Sequence, residues 1–176
     1  VGMETDHYDR AMEMARNVDV GSGGNCSFVG HSLGGGLASA ASITTGRPAR
    51  TFNAAGVSNR TITRETGRYP EGEAPVDAYY IPGDALSGTQ DNRGMVLGGL
   101  AVGVGLLAGP LAGLGLAGWM LSREMGDSPL VPAAYGRRHE LPGMVAPGMT
   151  DWAGNRHRMT SVLAAIEEQQ RQMGCI

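Results

Sequence analysis

The sequence contains no lysine, so its basic residues are all arginine. The 14 arginines are outnumbered by 17 acidic residues, which leaves a net charge of -3 at pH 7. The arginines form no dense cluster, and an acidic chain without a basic patch lacks the electrostatic footprint of a nucleic-acid-binding protein. Nucleic acid is therefore not an expected partner.

Cysteine is nearly absent as well. Cys26, in a predicted buried strand, and Cys175, near the end of the chain, do not make a disulfide framework or a metal site. We expect Cys26 to be a small core residue and Cys175 to be an incidental thiol. The first residues lack the basic and apolar regions of a signal peptide, so this stretch predicts no classical export.

Glycine, in contrast, is abundant, and the pattern Gly-x-Ser-x-Gly occurs at Gly30-His31-Ser32-Leu33-Gly34. An apolar run precedes the serine and a small-residue helix follows it, which is the strand-turn-helix setting of a nucleophile elbow. The turn predicts a strained backbone at Ser32, and it predicts that Gly30 and Gly34 must be small. Ser32 is the candidate nucleophile, and the backbone N–H of Leu33 can donate to an oxyanion.

The candidate acid of the site is Asp84. It follows a strand predicted over 74–82. In folds with a nucleophile elbow, the acid that pairs with the base follows a strand later in the chain than the serine. Pro-Gly-Asp is also ordinary turn chemistry, so a simple turn residue is the alternative interpretation. Asp91 is the second candidate acid, and Asp77 within the strand is the third.

The candidate general base is His157, which lies between a predicted last strand over 135–141 and a helix that begins near Met159. One imidazole nitrogen would reach Ser32 while Asp84 holds the other, which fixes the tautomer and stabilises the imidazolium. An exposed histidine at a helix start is the ordinary alternative. His139 is the other candidate base, although within a strand its side chain should point elsewhere.

The elbow residues Gly30 to Gly35 resemble the lipase class 3 type of α/β-hydrolase. Thr5 to Ala11 and Thr51 to Gly56 are similar to a narrower group, the lipase-like phospholipases that Gram-negative bacteria secrete as antibacterial or anti-host toxins, including type VI effectors. The resemblance covers about Thr5 to Ile166. It implies that His31 belongs to the motif and is not the base.

This resemblance implies a serine lipase or phospholipase that hydrolyses carboxylic esters of membrane lipids through Ser32, His157 and Asp84. Such chemistry needs neither a metal nor an organic cofactor. The resemblance also implies secretion by a non-classical route, action at a target-cell membrane or periplasm, and a cognate immunity protein as a partner. The alternatives are a membrane-inserting or partner-binding toxin module with a vestigial elbow, and a soluble carboxylesterase.

An uncharged, glycine-rich apolar run over 94–122 departs from the family pattern. It is longer than the roughly 20 residues that a membrane-spanning helix needs, and its glycines have the small-xxx-small spacing of packed membrane helices. Pro110 interrupts it. Three hypotheses follow: a buried helical hairpin, a hydrophobic lid that opens on lipid, or a membrane-inserting element.

The order of predicted elements indicates an α/β protein with a parallel sheet and flanking helices. The predicted helices cover 5–19, 33–46, 59–66 and 159 onward, and further strands cover 26–30 and 49–53. An α/β-hydrolase has strands on both sides of its elbow strand, whereas only one helix precedes the elbow here. We therefore expect residues 1–176 to form one partial α/β-hydrolase domain. An upstream part of the domain or a complementing chain would supply the missing strands and the second oxyanion donor.

Overall fold

The computed structural model describes residues 6–67, 75–124 and 132–175. The predicted helix start at Thr5 lies outside them. The elements are α1 (Asp6–Gly21), β1 (Phe28–His31), α2 (Leu33–Thr45), β2 (Ala49–Phe52), α3 (Asn59–Thr66), β3 (Val76–Tyr80), α4 (Ala85–Asp91), α5 (Arg93–Ala108), α6 (Pro110–Glu124), β4 (Arg137–Glu140), α7 (Ala153–Arg156) and α8 (Met159–Gln172).

The described strands form one parallel sheet in the order β1-β2-β3-β4. Helices connect the strands, since a parallel neighbour can be reached only by a crossover. The predicted α/β class, with a parallel sheet and flanking helices, is confirmed. Because all four strands run in the same direction, their carboxyl ends meet at one edge of the sheet, and that edge carries the candidate site.

The predicted end of α2 is also confirmed. Gly46 follows the helix with a left-handed φ of 74°, and its N–H donates to the carbonyl of Ser42. Glycine takes this conformation without the steric cost that a Cβ would add. The chain then turns through Pro48 into β2, so the elbow strand and its neighbour are joined by one short crossover.

Two apolar clusters form the core. The first is formed by α1, α2, α3 and the loop before α3, and its buried members are Met12, Ala40, Ile43, Val57 and Ile62. The second joins the ends of β3 and β4 to α8 through Ile81, Leu141, Val162 and Ala165. The second cluster anchors α8 directly after the candidate base.

β1 lies at one edge of the sheet. In the described ranges only β2 pairs with it, and Val29 in the middle of β1 is 68% exposed. An open apolar strand edge is a pairing surface for further strands. Completion of the sheet beyond β1 stays a prediction.

The position predicted for Cys26 is wrong. Strand β1 begins at Phe28, so Cys26 lies in the loop before it and is only half-buried, with its Sγ 3.9 Å from Asp19 Oδ1. Cys175 is exposed, and neither thiol is in a disulfide.

The apolar run over 94–122 folds as two helices and not as one. Gly109, with a φ of 97°, ends α5, and Pro110 opens α6, where the first helical position needs no N–H. Of the residues that the structure describes, none belong to a helix long and apolar enough to cross a membrane. The hairpin hypothesis is right about the shape but wrong about burial, because most of the large apolar side chains in α5 and α6 are exposed.

Candidate active site

Ser32 lies in the turn between β1 and α2. Its φ of 57° and ψ of -126° are unusual for a residue with a side chain, so the predicted backbone strain is confirmed. Its N–H donates to the carbonyl of Phe52 at 3.0 Å, and its own carbonyl accepts from the N–H of Ala55 at 2.9 Å. These bonds fasten the turn to the segment that leaves β2 and hold the hydroxyl in place.

The glycines around Ser32 differ in how much space a side chain would have at each position. A Cβ on Gly30 would collide with the carbonyl oxygen of Gly34, so Gly30 must be small, as predicted. A Cβ on Gly34 itself would meet none of the described atoms within 4 Å, so the predicted size restriction at Gly34 is wrong. Gly35 carries that restriction, because its Cβ would lie 2.6 Å from the Cβ of Ala54.

His157 follows the short helix α7 and lies next to Ser32. Its Nε2 is 2.8 Å from Ser32 Oγ, and its Nδ1 is 2.5 Å from Asp84 Oδ1. A carboxylate can only accept, so we assign the proton to Nδ1 and leave Nε2 free to accept from the serine hydroxyl. The structure thus brings together the three residues predicted for the site.

Asp84 is fully buried at the carboxyl end of the sheet, after a turn in which Gly83 has a φ of 73°. One carboxylate oxygen accepts from His157, and the other accepts from the N–H of Ser87 at 2.8 Å. Asp84 is therefore the N-cap of α4 as well as the partner of His157. Both sequence interpretations, the turn residue and the acid facing the base, describe the same side chain.

The alternative acids and base are engaged elsewhere. His139 Nε2 donates to Asp77 Oδ1 at 2.8 Å, and this hydrogen bond is the main reason that the pKa of Asp77 lies below its ordinary value. Asp91 accepts from Arg138. None of these three pairs with Ser32 or His157, which leaves Asp84 as the carboxylate on the base.

Two side chains hold the backbone that carries His157. His31 Nε2 is 2.7 Å from the carbonyl oxygen of His157, and because a carbonyl only accepts, this nitrogen donates. Asn53 Nδ2 donates to the carbonyl of Arg156 at 3.1 Å, while Asn53 Oδ1 accepts from the buried N–H of Ile81. His31 ends β1 and Asn53 follows β2. Two adjacent strand ends therefore donate hydrogen bonds to the consecutive carbonyls of Arg156 and His157.

Asn53 was missed by the sequence analysis. It is fully buried and has a φ of 42°, a left-handed conformation that asparagine tolerates better than most residues. Its position could have indicated a role at the site. Like Ser32 and the turn to Asp84, Asn53 directly follows a strand of the parallel sheet.

Arg156 is a second residue that the sequence analysis missed. Its Nη1 donates to the carbonyl of Pro82 in the turn before Asp84, and its Nε and Nη2 donate to the carboxylate of Asp151. The hydrogen bonds that Arg156 donates to Asp151 raise the pKa of Arg156 and lower the pKa of Asp151. This guanidinium therefore ties the loop of the base to the turn of the acid.

Leu33 is the first residue of α2, and the N–H groups of a first helical turn have no acceptor within the helix. Its N–H therefore lies beside Ser32 as a donor for negative charge. Over the described ranges, no three His, Cys, Asp or Glu side chains converge as a metal site.

Two comparisons with known proteins show what this chain is similar to. A sequence model of the phospholipase-like family, described as a Tle-like phospholipase domain, matches residues 1–147. This range contains Ser32 and Asp84, and His157 lies beyond it. An extracellular phospholipase A1 from Serratia liquefaciens is 35% identical over 100 residues, which cover 54% of this chain and 31% of that protein. The aligned residues thus span about a third of the length of the curated relative.

Proposed function

This chain belongs to the phospholipase-like family of Tle-like phospholipase domains, and we propose that it is a serine hydrolase that cleaves carboxylic esters of membrane phospholipids. In this proposal the fold is the α/β-hydrolase fold. Ser32 is the nucleophile, His157 the general base and Asp84 the residue that orients His157.

The observation that carries the proposal is the unbroken chain of hydrogen bonds from Ser32 through His157 to Asp84. A serine hydroxyl is a weak nucleophile unless a base removes its proton as it attacks. Here the base lies within reach of the hydroxyl, and a buried carboxylate fixes its tautomer. If the elbow were vestigial, nothing in its function would require these three distant residues to stay hydrogen-bonded to one another.

The reaction follows from the positions of these groups. Ser32 Oγ attacks the ester carbonyl carbon as its proton passes to His157 Nε2, and Asp84 stabilises the imidazolium. The tetrahedral intermediate collapses, the ester C–O bond breaks, and His157 gives its proton to the leaving alcohol. Water then attacks the acyl-serine by the same path and releases the fatty acid.

The developing oxyanion accepts from the N–H of Leu33 in this proposal. A second donor would come from a segment beyond the four described strands, as in the predicted complete hydrolase sheet. Loss of a single oxyanion donor costs on the order of a hundredfold or more in rate. We therefore expect residues 1–176 alone to hydrolyse esters feebly.

Phospholipid is the proposed substrate because the family is phospholipase-like and the relative from Serratia liquefaciens is an extracellular phospholipase A1. We further propose that the protein is secreted as a toxin by a non-classical route, acts at a target-cell membrane or periplasm, and is neutralised in the producing cell by an immunity protein. The extracellular relative and the family support secretion.

The test is hydrolysis of phospholipid vesicles by the full-length parent protein and by its Ser32→Ala and Asp84→Asn forms. Released fatty acid and lysolipid are measured by mass spectrometry. We expect Ser32→Ala to lower the rate by at least about 1000-fold and Asp84→Asn to lower it by roughly 100-fold or more.

Circular dichroism of each variant serves as the folding control. Equal hydrolysis by the parent and the Ser32→Ala protein would refute the proposed nucleophile. Vesicle leakage from both proteins, with no lipid product from either, would instead favour the membrane-inserting module with a vestigial elbow.

A further inference from the structure

In the hairpin of α5 and α6, small residues lie inside the contact and most large apolar residues lie outside it. Helix pairs in water usually have the opposite arrangement. Small residues lie between the two helices: Gly113 is buried, and a Cβ added there would lie 2.7 Å from Gly105 Cα and 2.8 Å from the carbonyl oxygen of Ala101. Most of the large apolar side chains of α5 and α6 are exposed, whereas Leu97 is buried. Helices that associate in lipid pack through small residues in this way, because lipid tails solvate leucine as well as another leucine does.

Exposed apolar residues occur along both helices, and the most exposed leucines lie at the tip of the hairpin. Leu106 and Leu107 at the end of α5 are 83% and 92% exposed, and Leu111 at the start of α6 is 85% exposed. The whole run over 94–122 contains no charged residue, whereas Arg93 and Arg123 flank it in the sequence. The charged residues nearest the hairpin therefore lie outside the run, at the end away from the tip.

The distance from the tip of the hairpin to Trp119 matches one leaflet of a bilayer. At 1.5 Å per residue, α5 and α6 are each roughly 23 Å long, short of the roughly 30 Å of a full hydrocarbon core. Trp119 lies about 14 Å along α6 from Pro110, close to the roughly 15 Å of half that core. Tryptophan is enriched at this depth, where its ring meets the headgroups.

We propose that the α5–α6 hairpin is a membrane-docking element that inserts its tip into one leaflet of a phospholipid bilayer, with Trp119 at the headgroup level. The proposal rests on the proposed function only in that the substrate is a membrane phospholipid.

The docking element is close to the candidate active site. Helix α4, which Asp84 caps, is seven residues and therefore about 10 Å long, and it leads directly into the base of α5. A hairpin inserted in a leaflet would hold the carboxyl edge of the sheet near the headgroups. The ester bonds of phospholipids lie at this same depth, just below the headgroups.

The test measures binding to vesicles of phosphatidylethanolamine and phosphatidylglycerol in the full-length Ser32→Ala protein, which cannot hydrolyse them. Two exposed tip residues are replaced together, Leu107→Glu and Leu111→Glu, and the matched control is Leu163→Glu, the same change at an exposed leucine on α8. We expect the tip variant to lose at least tenfold in vesicle partitioning, because full burial of even one leucine changes an equilibrium constant by about that factor. The control should bind as before.

Depth is measured by fluorescence quenching. With Trp152→Phe in place, Trp119 is the remaining tryptophan of residues 1–176, and any other tryptophan of the full-length protein is likewise replaced by phenylalanine. Brominated lipids labelled near the headgroup should quench Trp119 more strongly than lipids labelled near the chain ends. Stronger quenching at the chain ends would overturn the predicted depth.

Other outcomes separate this proposal from the proposed function. Undiminished vesicle binding by the tip variant would overturn the docking element, and so would a tip-dependent dimer in lipid-free buffer with vesicle binding unchanged. With Ser32 restored, the tip variant should still cleave a short water-soluble ester at the parental rate. Vesicle binding without any ester hydrolysis by the parent would refute the proposed enzyme and leave the docking element standing.

Discussion

At the scale of single residues, His157 is held by more than the two partners of its ring. His31 and Asn53 donate to the carbonyls of His157 and Arg156, and both come from strand ends that also position the elbow. A general base must meet its nucleophile within a few tenths of an ångström, and a misplacement of 1 Å can cost about a hundredfold in rate. We infer that His31 and Asn53 are positioning residues.

His31→Phe should lower kcat by about fivefold and leave KM nearly unchanged. Phenylalanine keeps an aromatic ring 5.0 Å from that of His157 but cannot donate to its carbonyl, so the base loses one support worth about 1 kcal/mol. His31→Gln, whose amide N–H groups can donate, should restore part of the rate. The measurement is steady-state kinetics on a soluble ester, with thermal melting of each variant as the folding control.

A merely structural role for His31 would show itself differently. In that case both variants would lose activity in proportion to their loss of folded protein, and glutamine would not recover kcat.

At the scale of elements, the close contact of α2 with the rest of the domain depends on its small residues. Gly35 faces Ala54 beyond β2, and a Cβ on Gly36 would collide with the hydroxyl of Tyr8 on α1. The buried stretch of α2 consists mainly of glycine, alanine and serine. This composition lets the helix approach the sheet closely, so that its first turn lies directly behind Ser32.

Gly35→Ala should destabilise the protein, whereas Gly34→Ala should be neutral or stabilising. Both changes gain up to about 1 kcal/mol of helix propensity, but only at Gly35 does the new methyl group meet packed atoms, at a cost of about 1–3 kcal/mol. Urea unfolding of the two variants measures the difference. A larger loss of stability for Gly34→Ala than for Gly35→Ala would contradict the packing described here.

At the scale of the whole molecule, the far side of the sheet is held largely by polar pairs. Strand β4 has the sequence Arg-Arg-His-Glu, and its side chains pair with Asp77 and Tyr80 of β3 and with Asp91. Strand β4 itself has no apolar side chain, and buried Leu141 follows directly after it. Along the strand, charge and side-chain hydrogen bonding therefore support the register. The stability of this edge should therefore depend on pH.

Asp77→Asn should lower the melting temperature slightly near neutral pH and not at all in strong acid. The pKa of Asp77 is lower in the folded protein than in the unfolded chain, so its contribution is complete above about pH 5 and is lost as pH falls through the folded-state value. Because the pair is partly exposed, the gap should correspond to less than about 1 kcal/mol.

The measurement is thermal unfolding between pH 7 and pH 3, with Glu167→Gln, a change at an exposed acid on α8, as the control. A gap between Asp77→Asn and the parent that widens as pH falls would have the wrong sign and would refute this assignment.

Local patterns in the sequence determined most of the elements and the three residues that meet at the candidate site. The Gly-x-Ser-x-Gly pattern predicts the strained turn at Ser32, and the order of strands predicts that Asp84 and His157 reach the same sheet edge. These predictions succeed because strand, turn and helix signals are short-range, and because parallel strands bring their carboxyl ends together. The same logic predicted the end of α2 at Gly46 from one glycine.

The tertiary structure decided what depends on contacts between distant residues. Packing against Ala54 moves the size restriction from Gly34 to Gly35, and the capping of α4 lets Asp84 serve both the turn and the base. Asn53 acquires its role only because Arg156, 103 positions later, folds against it. The apolar run over 94–122 is a hairpin with its leucines outside because close glycine contacts, which have no signature in hydropathy alone, pair the two helices.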